Sequence, residues 1–563
     1  MIYEKHPLSP NQIGFKKGHR TADHIFVLKS VIDKIVRNDK KRLFVAFIDF
    51  RKAYDRVNRT LLFLKLQRAD INGLFYRNIK KLNSEVSYMV KCHGGHLRPI
   101  YSKYGLKQGG VLSPLLFNLY IDDIKDLFDN TCDPVYLLNK PLSHLLYADD
   151  LALISTTQSG LNNCLIRLEK FSKTWQLELN ISKSKVIVFN YTGRLLKGMK
   201  FTFRGIPLEI VQSYCYLGID FLCSGSFRTA RSNLVDKARK ALVPLSSLVA
   251  QFNIPSNKAI YLFNAMIRPI AMYNSENLAL LTDHQIVAMN DNKNSLMFYA
   301  NKAYPNSLHQ KFLKYILGVK GNCSNMATLG ELGEVPIILH GFVSLLSYWH
   351  RTNNMNEDTL VKQALNFVMN DGSAKYESVA TVKFLLRYLA MDDHFLNPQL
   401  TLNTFTFMCK KKLHTKYIEE WMNELAGFNL KVGETSKLRF YKLFKTSFGR
   451  EPYLDHIKDF KLRKIITKFR CSDHILEVEM GRHKNLKVEE RTCKICNQDD
   501  IESEAHFLQQ CPAYTQFRAH YFGNIDPKNW PDILACKDIG TSYKLANYLD
   551  KSFKLRKNTL ALL

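Results

Sequence analysis

Three aspartates, Asp49, Asp149 and Asp150, carry the most pointed chemistry in this sequence. Each borders a short apolar run: Leu43-Phe-Val-Ala-Phe-Ile48 leads into Asp49, Leu145-Leu-Tyr-Ala148 leads into the tandem acids, and Leu151-Ala-Leu-Ile154 follows them. A fold that pairs such runs brings the three carboxylates to one sheet edge, where mutual repulsion disfavours a purely structural role. A hard divalent cation resolves that repulsion, and Mg²⁺ is held by one or two carboxylates together with substrate phosphates. Two such ions about 3.5–4 Å apart activate an attacking oxygen and stabilise the leaving one in an in-line phosphoryl displacement. The bland alternative is a solvated turn at Asp149-Asp150 and a helix cap at Asp49. Asp122-Asp123 serves as a control: it lies inside a helical pattern starting at Pro114 and reads as a polar helix face.

The elements that must position these acids are legible in outline. Ile25, Leu28, Ile32, Ile35 and Val36 mark one face of a helix over 21–37. The run ending at Asp49 fits a central strand covered on both faces. Ser113-Pro114 opens a second helix, with serine as N-cap and proline at the first helical position. His144 to Ser155 reads as two short strands joined by a tight turn, and a helix with Leu161, Leu165, Leu168, Phe171 and Trp175 on one side follows. Gly193 to Gly205 is basic and glycine-punctuated, and is expected to mark a boundary. Beyond about residue 300 the pattern is mostly helical. Near the acids, Tyr54 alone reads as a core aromatic or as a ring beneath an incoming sugar. Gln108-Gly109-Gly110 offers close backbone approach to a ligand or a plain turn, and Lys183 is either solvated or near a leaving phosphate.

Composition narrows the class. The chain has 563 residues, with 80 Lys+Arg against 51 Asp+Glu, a net charge of +29. Its length suits three or four domains at roughly 150 residues each. A hydrophobic fraction of 46% with 12% aromatics excludes disorder as the main description. The charge asks for a polyanionic partner, nucleic acid first and an anionic membrane surface second. It is concentrated in two stretches: Arg194 to Arg268 carries 11 basic against three acidic residues, and Lys410 to Arg491 carries 20 against 12, +8 in each. No run approaches the roughly 18 apolar residues of a membrane span, and the first seven residues do not form a signal peptide. Twelve scattered cysteines read as reduced thiols of an intracellular protein.

Only three of those cysteines cluster, as Cys493-x2-Cys496-x9-His506-x4-Cys511. Three thiols and an imidazole at this spacing fit one tetrahedral Zn²⁺. Four protein ligands leave no open position, so the site is expected to be structural. Neighbouring Arg491 and Lys494 suggest nucleic-acid contact, as zinc knuckles make with single strands.

Taken together, these residues resemble a family. Phe47-Ile-Asp-Phe-Arg-Lys-Ala-Tyr-Asp-Arg-Val57, Gly105-Leu-Lys-Gln-Gly-Gly-Val-Leu-Ser-Pro-Leu-Leu-Phe117 and Tyr147-Ala-Asp-Asp150 look like reverse transcriptase motifs A, B and C, in order. Trp175 to Lys183 resembles motif D, and Tyr216-Leu-Gly-Ile219 resembles motif E, the primer grip. Asn11 to Asp23, Arg268 to Glu276 and Gly330 to Pro336 resemble segments of non-LTR (LINE-type) retrotransposon polymerases. The Cys/His constellation, with Glu502 and Glu504 before it and Pro512 after, resembles the one that follows the polymerase in that family, and His474 and Gly481-Arg482 resemble its linker.

The resemblance implies roles. Asp49, Asp149 and Asp150 would hold two Mg²⁺ ions with help from the Phe50 carbonyl, and Tyr54 would be the steric gate favouring deoxynucleotides. Gln108 and Gly109 would contact template and incoming nucleotide, Tyr147 would lie at the substrate, and Lys183 would approach the triphosphate. The implied fold is α+β: a right-hand polymerase with a palm sheet, partial fingers and a helical thumb, then a mostly helical C-terminal region with a small zinc knuckle. The expected domains are 1–190 (fingers and palm), 191–300 (motif E and thumb), 301–485 (basic helical linker region), 486–525 (knuckle) and 526–563 (tail). The implied activity is RNA-directed DNA polymerisation, with an RNA template, a DNA primer or target and dNTPs as partners. The expected location is nuclear or cytoplasmic, as a ribonucleoprotein. The sequence leaves the oligomeric state open.

Departures shape a rival reading. The similarity starts just before motif A, and Gly18-His-Arg-Thr21 stands where the family usually has glycine-x-serine-threonine. The chain is therefore expected to be N-terminally truncated, without the earliest fingers or an endonuclease. The alternative function is a catalytically impaired, nucleic-acid-binding remnant. An intron-encoded maturase fits the palm but not the thumb and knuckle.

Overall fold

The computed structural model describes residues 7–93, 95–96, 98–196, 198–291, 295–372, 376–395, 399–427, 438–496, 498–523 and 529–562. The reading of residues 1–6 and the boundary expected between 525 and 526 lie outside them.

The acid-bearing runs form the centre of a five-stranded sheet. Its strands are β1 (Leu43–Ile48), β2 (His144–Tyr147), β3 (Asp150–Ser155), β4 (Lys185–Phe189) and β5 (Glu209–Ile210), in the order β5-β4-β1-β3-β2. Only the β4–β5 pair is parallel. Alternation along β1 explains its unbroken apolar run: Leu43, Val45 and Phe47 face one core, while Phe44, Ala46 and Ile48 face the other. The second face is covered by α2 (Arg59–Arg68), α3 (Ser113–Ile121) and α4 (Gln158–Thr174) through Leu62, Phe117, Tyr120 and Leu165. The Thr157 hydroxyl accepts the Gly160 N–H and caps the start of α4.

The first face is covered by α1 (Thr21–Ile32), and here the structure exceeds the sequence reading. Every residue from Ala22 to Ile32 is buried, not one stripe, because later helices close over the side that faces away from the sheet. Asn277 Nδ2 donates to the Ala22 carbonyl at 3.0 Å, and Arg351 pairs with Asp23. Residues 33–38 then widen into a π-type turn. The described residues of 193–205, expected as a boundary, pack back on the sheet: Phe201 and Phe203 are buried in the second core, and β5 returns to pair with Lys185 and Val186.

From α5 (Arg228–Gln251) onward the described residues are helical apart from isolated bridges, and one apolar core continues from α1 to Leu549. The region expected as a linker is therefore a packed helical body. At its heart lies Glu331, from the segment 330–336. Arg470, at the end of α6 (Phe460–Arg470), donates to its carboxylate from Nε and Nη2 at 2.8–3.2 Å. Both side chains are wholly buried, Tyr441 and Tyr453 hydroxyls donate to Glu331 at 3.0 and 2.6 Å, and Glu451 lies 2.5 Å from Arg470. Lys445 also pairs with Glu451, so Arg470→Met leaves Glu331 with tyrosine hydroxyls as its direct partners in this interior and is expected to cost about 3–5 kcal/mol in urea unfolding. The stretch after 526 is likewise no free tail, since α7 (Ile539–Leu562) buries Leu545, Tyr548 and Leu549 against α6 and Phe507. Among the described residues no helix is long and apolar enough to cross a membrane.

Candidate active site

Strand register assembles the three acids. Ile48 pairs with Leu151 and Tyr147 with Asp150, so Asp49 leaves β1 beside Asp150, and Asp149 occupies the two-residue turn between β2 and β3. The Asp150 carboxyl, though the residue stands open to the cleft, is pushed up to about 6 by the crowding of protein around it, with Asp149 and then Asp49 adding repulsion. Asp149 is raised for the same reasons, burial first and then Asp49. Carboxylates that disfavour each other's charge in one cleft are the donor set that a hard divalent cation stabilises.

A cleft of about 610 Å³ opens over this edge. Tyr54, Gln108, Gly109, Tyr147, Asp149 and Asp150 all line it. The Tyr54 ring stacks on Phe117 of α3, with centroids 4.5 Å apart, which fixes the ring at the cleft wall. Gly109 has φ +79° with no atom near its missing Cβ, so glycine is needed there for conformation. Ser113 does not cap α3. Its hydroxyl donates to the Lys107 carbonyl at 2.6 Å and ties off the loop carrying Gln108 and Gly109. The control pair behaves as structure: Asp122 accepts the Ser9 N–H and pairs with Lys125, and Asp123 pairs with Lys65.

Asp49, Phe50 and Lys183 stand beside this cleft and not among its lining residues. Asn180 N–H donates to the Asp49 carbonyl and Arg51 N–H to Glu178, so the ladder skips Phe50 itself. Lys183 is exposed on the loop whose next residue, Ser184, accepts the Asp49 N–H at 3.1 Å. The loop thus braces Asp49 and keeps Lys183 at its border. Motif E forms the hairpin β6 (Ser213–Tyr216) and β7 (Ile219–Leu222), with Leu217 and Gly218 at positive φ in the turn. Tyr273 donates to the Leu217 carbonyl at 3.0 Å, and Tyr214 stacks on Phe47 at 4.6 Å. Burial, then the Asp150 and Asp49 charges, push the Tyr214 phenol up to about 12, which sets the hairpin against the acid cluster.

Residues to which the sequence reading gave no role at the site also line the cleft: Phe15, 59% exposed, Lys107, and Ser113, which was read as a helix cap. An exposed aromatic directly after Gly14, in a segment already singled out, was the available signal for Phe15.

The second candidate centre is equally assembled. The ligand atoms of Cys493, Cys496, His506 and Cys511 all lie within 4.8 Å of one another. Cys496 Sγ is 3.4 Å from His506 Nε2, leaving Nδ1 facing Asp500 at 3.6 Å. The Cys493 thiol is held well below its usual range, chiefly by the neighbouring Cys511. The acidic pair is internal. Glu502 takes two hydrogen bonds from Arg556 at 2.7 and 2.6 Å, and against the pull of burial His474 and Arg439 hold Glu504 down to about 2. The expected nucleic-acid contact by Arg491 loses its carrier, because that guanidinium donates to the Val478 and Leu486 carbonyls, while Lys494 lies 3.6 Å from Glu477.

Residues 1–221 match the family described as reverse transcriptase (RNA-dependent DNA polymerase). A probable RNA-directed DNA polymerase from transposon BS of Drosophila melanogaster is 25% identical over 284 residues, 48% of this chain and 30% of that one. The RNA-directed DNA polymerase from mobile element jockey of the same fly is 26% identical, over 46% of this chain and 28% of that one. A Pol polyprotein from the type-1 retrotransposable element R2 of Nasonia vitripennis is 28% identical, over 44% and 25%. The chain thus spans a third or less of the length of these relatives. Apo telomerase from Candida tropicalis aligns over 71% of this chain and 57% of that one, at 12% identity and a TM-score of 0.32, too low to carry an argument. Residues 1–221 thus match the reverse transcriptase family, and the relatives named here are polymerases and Pol polyproteins of transposons and retrotransposable elements.

Proposed function

We propose that the chain is an RNA-directed DNA polymerase that joins deoxynucleoside triphosphates to a DNA primer on an RNA template. The observation that supports this most is the convergence of Asp49, Asp149 and Asp150 under a cleft walled by Tyr54 and Gln108. Two Mg²⁺ ions, when bound, supply Lewis acidity to the primer hydroxyl and the leaving pyrophosphate. The three carboxylates hold them, and the free Phe50 side of the ladder offers a carbonyl beside Asp49. Tyr54, pinned on Phe117, meets the sugar and excludes a 2′-hydroxyl. Gln108 and Gly109 meet the template and incoming nucleotide, and exposed Lys183 reaches toward the triphosphate from behind Asp49. The β6–β7 hairpin, braced by Tyr273, carries the primer end.

Extension of a labelled DNA primer annealed to RNA, in Mg²⁺, tests the reading. RNA binding without extension by the unaltered chain favours the impaired, binding-only alternative. Tyr54→Val is expected to lower discrimination against ribonucleotides on the order of 10–100-fold with little change for deoxynucleotides. Single-nucleotide kinetics with paired dNTP and rNTP substrates measure it. We further propose that the Cys493, Cys496, His506 and Cys511 cluster binds one structural Zn²⁺.

A further inference from the structure

The turn that presents Asp149 is built against its own preference. Two-residue hairpin turns place their first central residue at positive φ, where glycine is favoured. Here that residue is Ala148, at φ +55°. A side chain in this region costs about 1–2 kcal/mol, so the surrounding structure must impose the conformation.

The residues that impose it come from the segment 11–14. Leu146 N–H donates to the Asn11 carbonyl at 2.9 Å and Ile13 N–H to the Leu146 carbonyl at 3.1 Å, which lays this segment parallel to β2. Gln12 is wholly buried there. Its Oε1 accepts the Ala148 N–H at 3.0 Å and the Gly14 N–H at 2.9 Å, and its Nε2 donates to the Ala148 carbonyl at 3.4 Å. One carboxamide therefore grips both polar groups of Ala148. Gly14 stacks directly on the turn, since a Cβ there would sit 2.3 Å from Ala148 N. Asn118, also wholly buried, donates to the Gly14 carbonyl at 2.7 Å and anchors the segment to α3.

We propose that Gln12, backed by Gly14 and Asn118, is a positioning residue that holds Ala148 in its left-handed conformation and so sets the place of the Asp149 carboxylate. The proposal rests on the polymerase reading for its kinetic consequence, but not for its structural one. Gln12 touches no substrate; it acts through the turn.

The test is a pair of backgrounds. Gln12→Met keeps the volume and removes the grip. With Ala148 present it is expected to lower kcat for primer extension about 10–100-fold, the scale of a small misplacement at a reacting centre, with KM for dNTP changed less than about 2-fold. With Ala148→Gly, which adopts positive φ without strain, the same substitution is expected to cost less than about 3-fold. Asn118→Val, a smaller lesion of the same support, is expected to show the same suppression. Equal losses in both backgrounds mean a general packing role and overturn the proposal, as does an unaltered kcat.

Hydrogen exchange of the full chain gives a readout independent of turnover. Gln12→Met is expected to speed exchange at the Ala148 amide at least about tenfold, while the pairing of β1 with β4 keeps its protection. Unchanged protection at Ala148 overturns the proposal. If the unaltered chain extends no primer, the polymerase reading fails, and this exchange measurement still decides the role of Gln12.

Discussion

Asparagine at both Asp149 and Asp150 is expected to lower deoxynucleotide incorporation by at least about a thousandfold while leaving RNA binding intact. The substitution keeps shape and hydrogen-bonding capacity and removes two of the three negative charges gathered at this sheet edge. Metal assistance in phosphoryl transfer contributes many kcal/mol of transition-state stabilisation, and about 4 kcal/mol already corresponds to a thousandfold. The fold should not suffer. Asp150 lies at about 6 in the folded chain, above the ordinary carboxylate value of 3.8. Its contribution to stability is fully present below that ordinary value and is lost as pH rises through about 6, because the folded state then holds a charge it disfavours. In a chelator, the melting temperature should therefore fall between pH 4 and pH 7 by less in the doubly substituted chain than in the original. Mg²⁺ at pH 7 should raise the melting temperature of the original chain only. A variant that melts early and loses RNA binding would mean that the acids hold the fold and not the reaction.

The second large effect lies at the other end of the chain. Cys493→Ser, or a strong chelator, is expected to unfold the body that ends in α7 and to lower the melting temperature by more than about 10 °C. Cys511 and His506 are buried, and Phe507, next to the ligand His506, packs among Phe469, Tyr514, Tyr548 and Phe553. Structural Zn²⁺ sites contribute about 10–16 kcal/mol of apparent binding energy at neutral pH, as large as a single domain's whole margin of about 5–15 kcal/mol. Loss of this ion therefore should not be absorbed locally: the α6–α7 packing and the Glu502–Arg556 pair hang on the same loop. Metal analysis of the purified chain should give about one zinc per molecule, falling toward zero in Cys493→Ser. A metal-free chain with unaltered melting would remove zinc from the account.

The placement of the three acids was legible because strand chemistry is local. A short, fully apolar run such as 43–48 fits a strand with two covered faces, which carries its acidic end to the sheet edge. The tight turn at 148–149 was legible too, but not its strain, because alanine at that position signals nothing. Gln12 could not be found by periodicity, since its partner lies 136 residues away and a buried amide leaves no pattern. The same distance problem hid Glu331 and Arg470, 139 residues apart, and made a packed helical body look like a basic linker. Helix α1 was read from one stripe because its second cover arrives only with Asn277 and Arg351. The Cys/His spacing pointed to side chains that do cluster, yet Arg491 read as a nucleic-acid contact when its guanidinium is spent on backbone carbonyls. Charge composition marks solvation and partners; it does not say which cations are already engaged.

The central claim is that Asp49, Asp149 and Asp150 form a centre that copies RNA into DNA. Single-nucleotide incorporation tests it most directly: a DNA primer on an RNA template that calls for one base, with each dNTP supplied singly in Mg²⁺ and the reaction quenched in time. The account predicts addition of the complementary deoxynucleotide alone, abolished by chelation and by Asp149→Asn. A chain that holds the primer–template tightly yet adds no nucleotide, or whose addition survives Asp149→Asn, would contradict it.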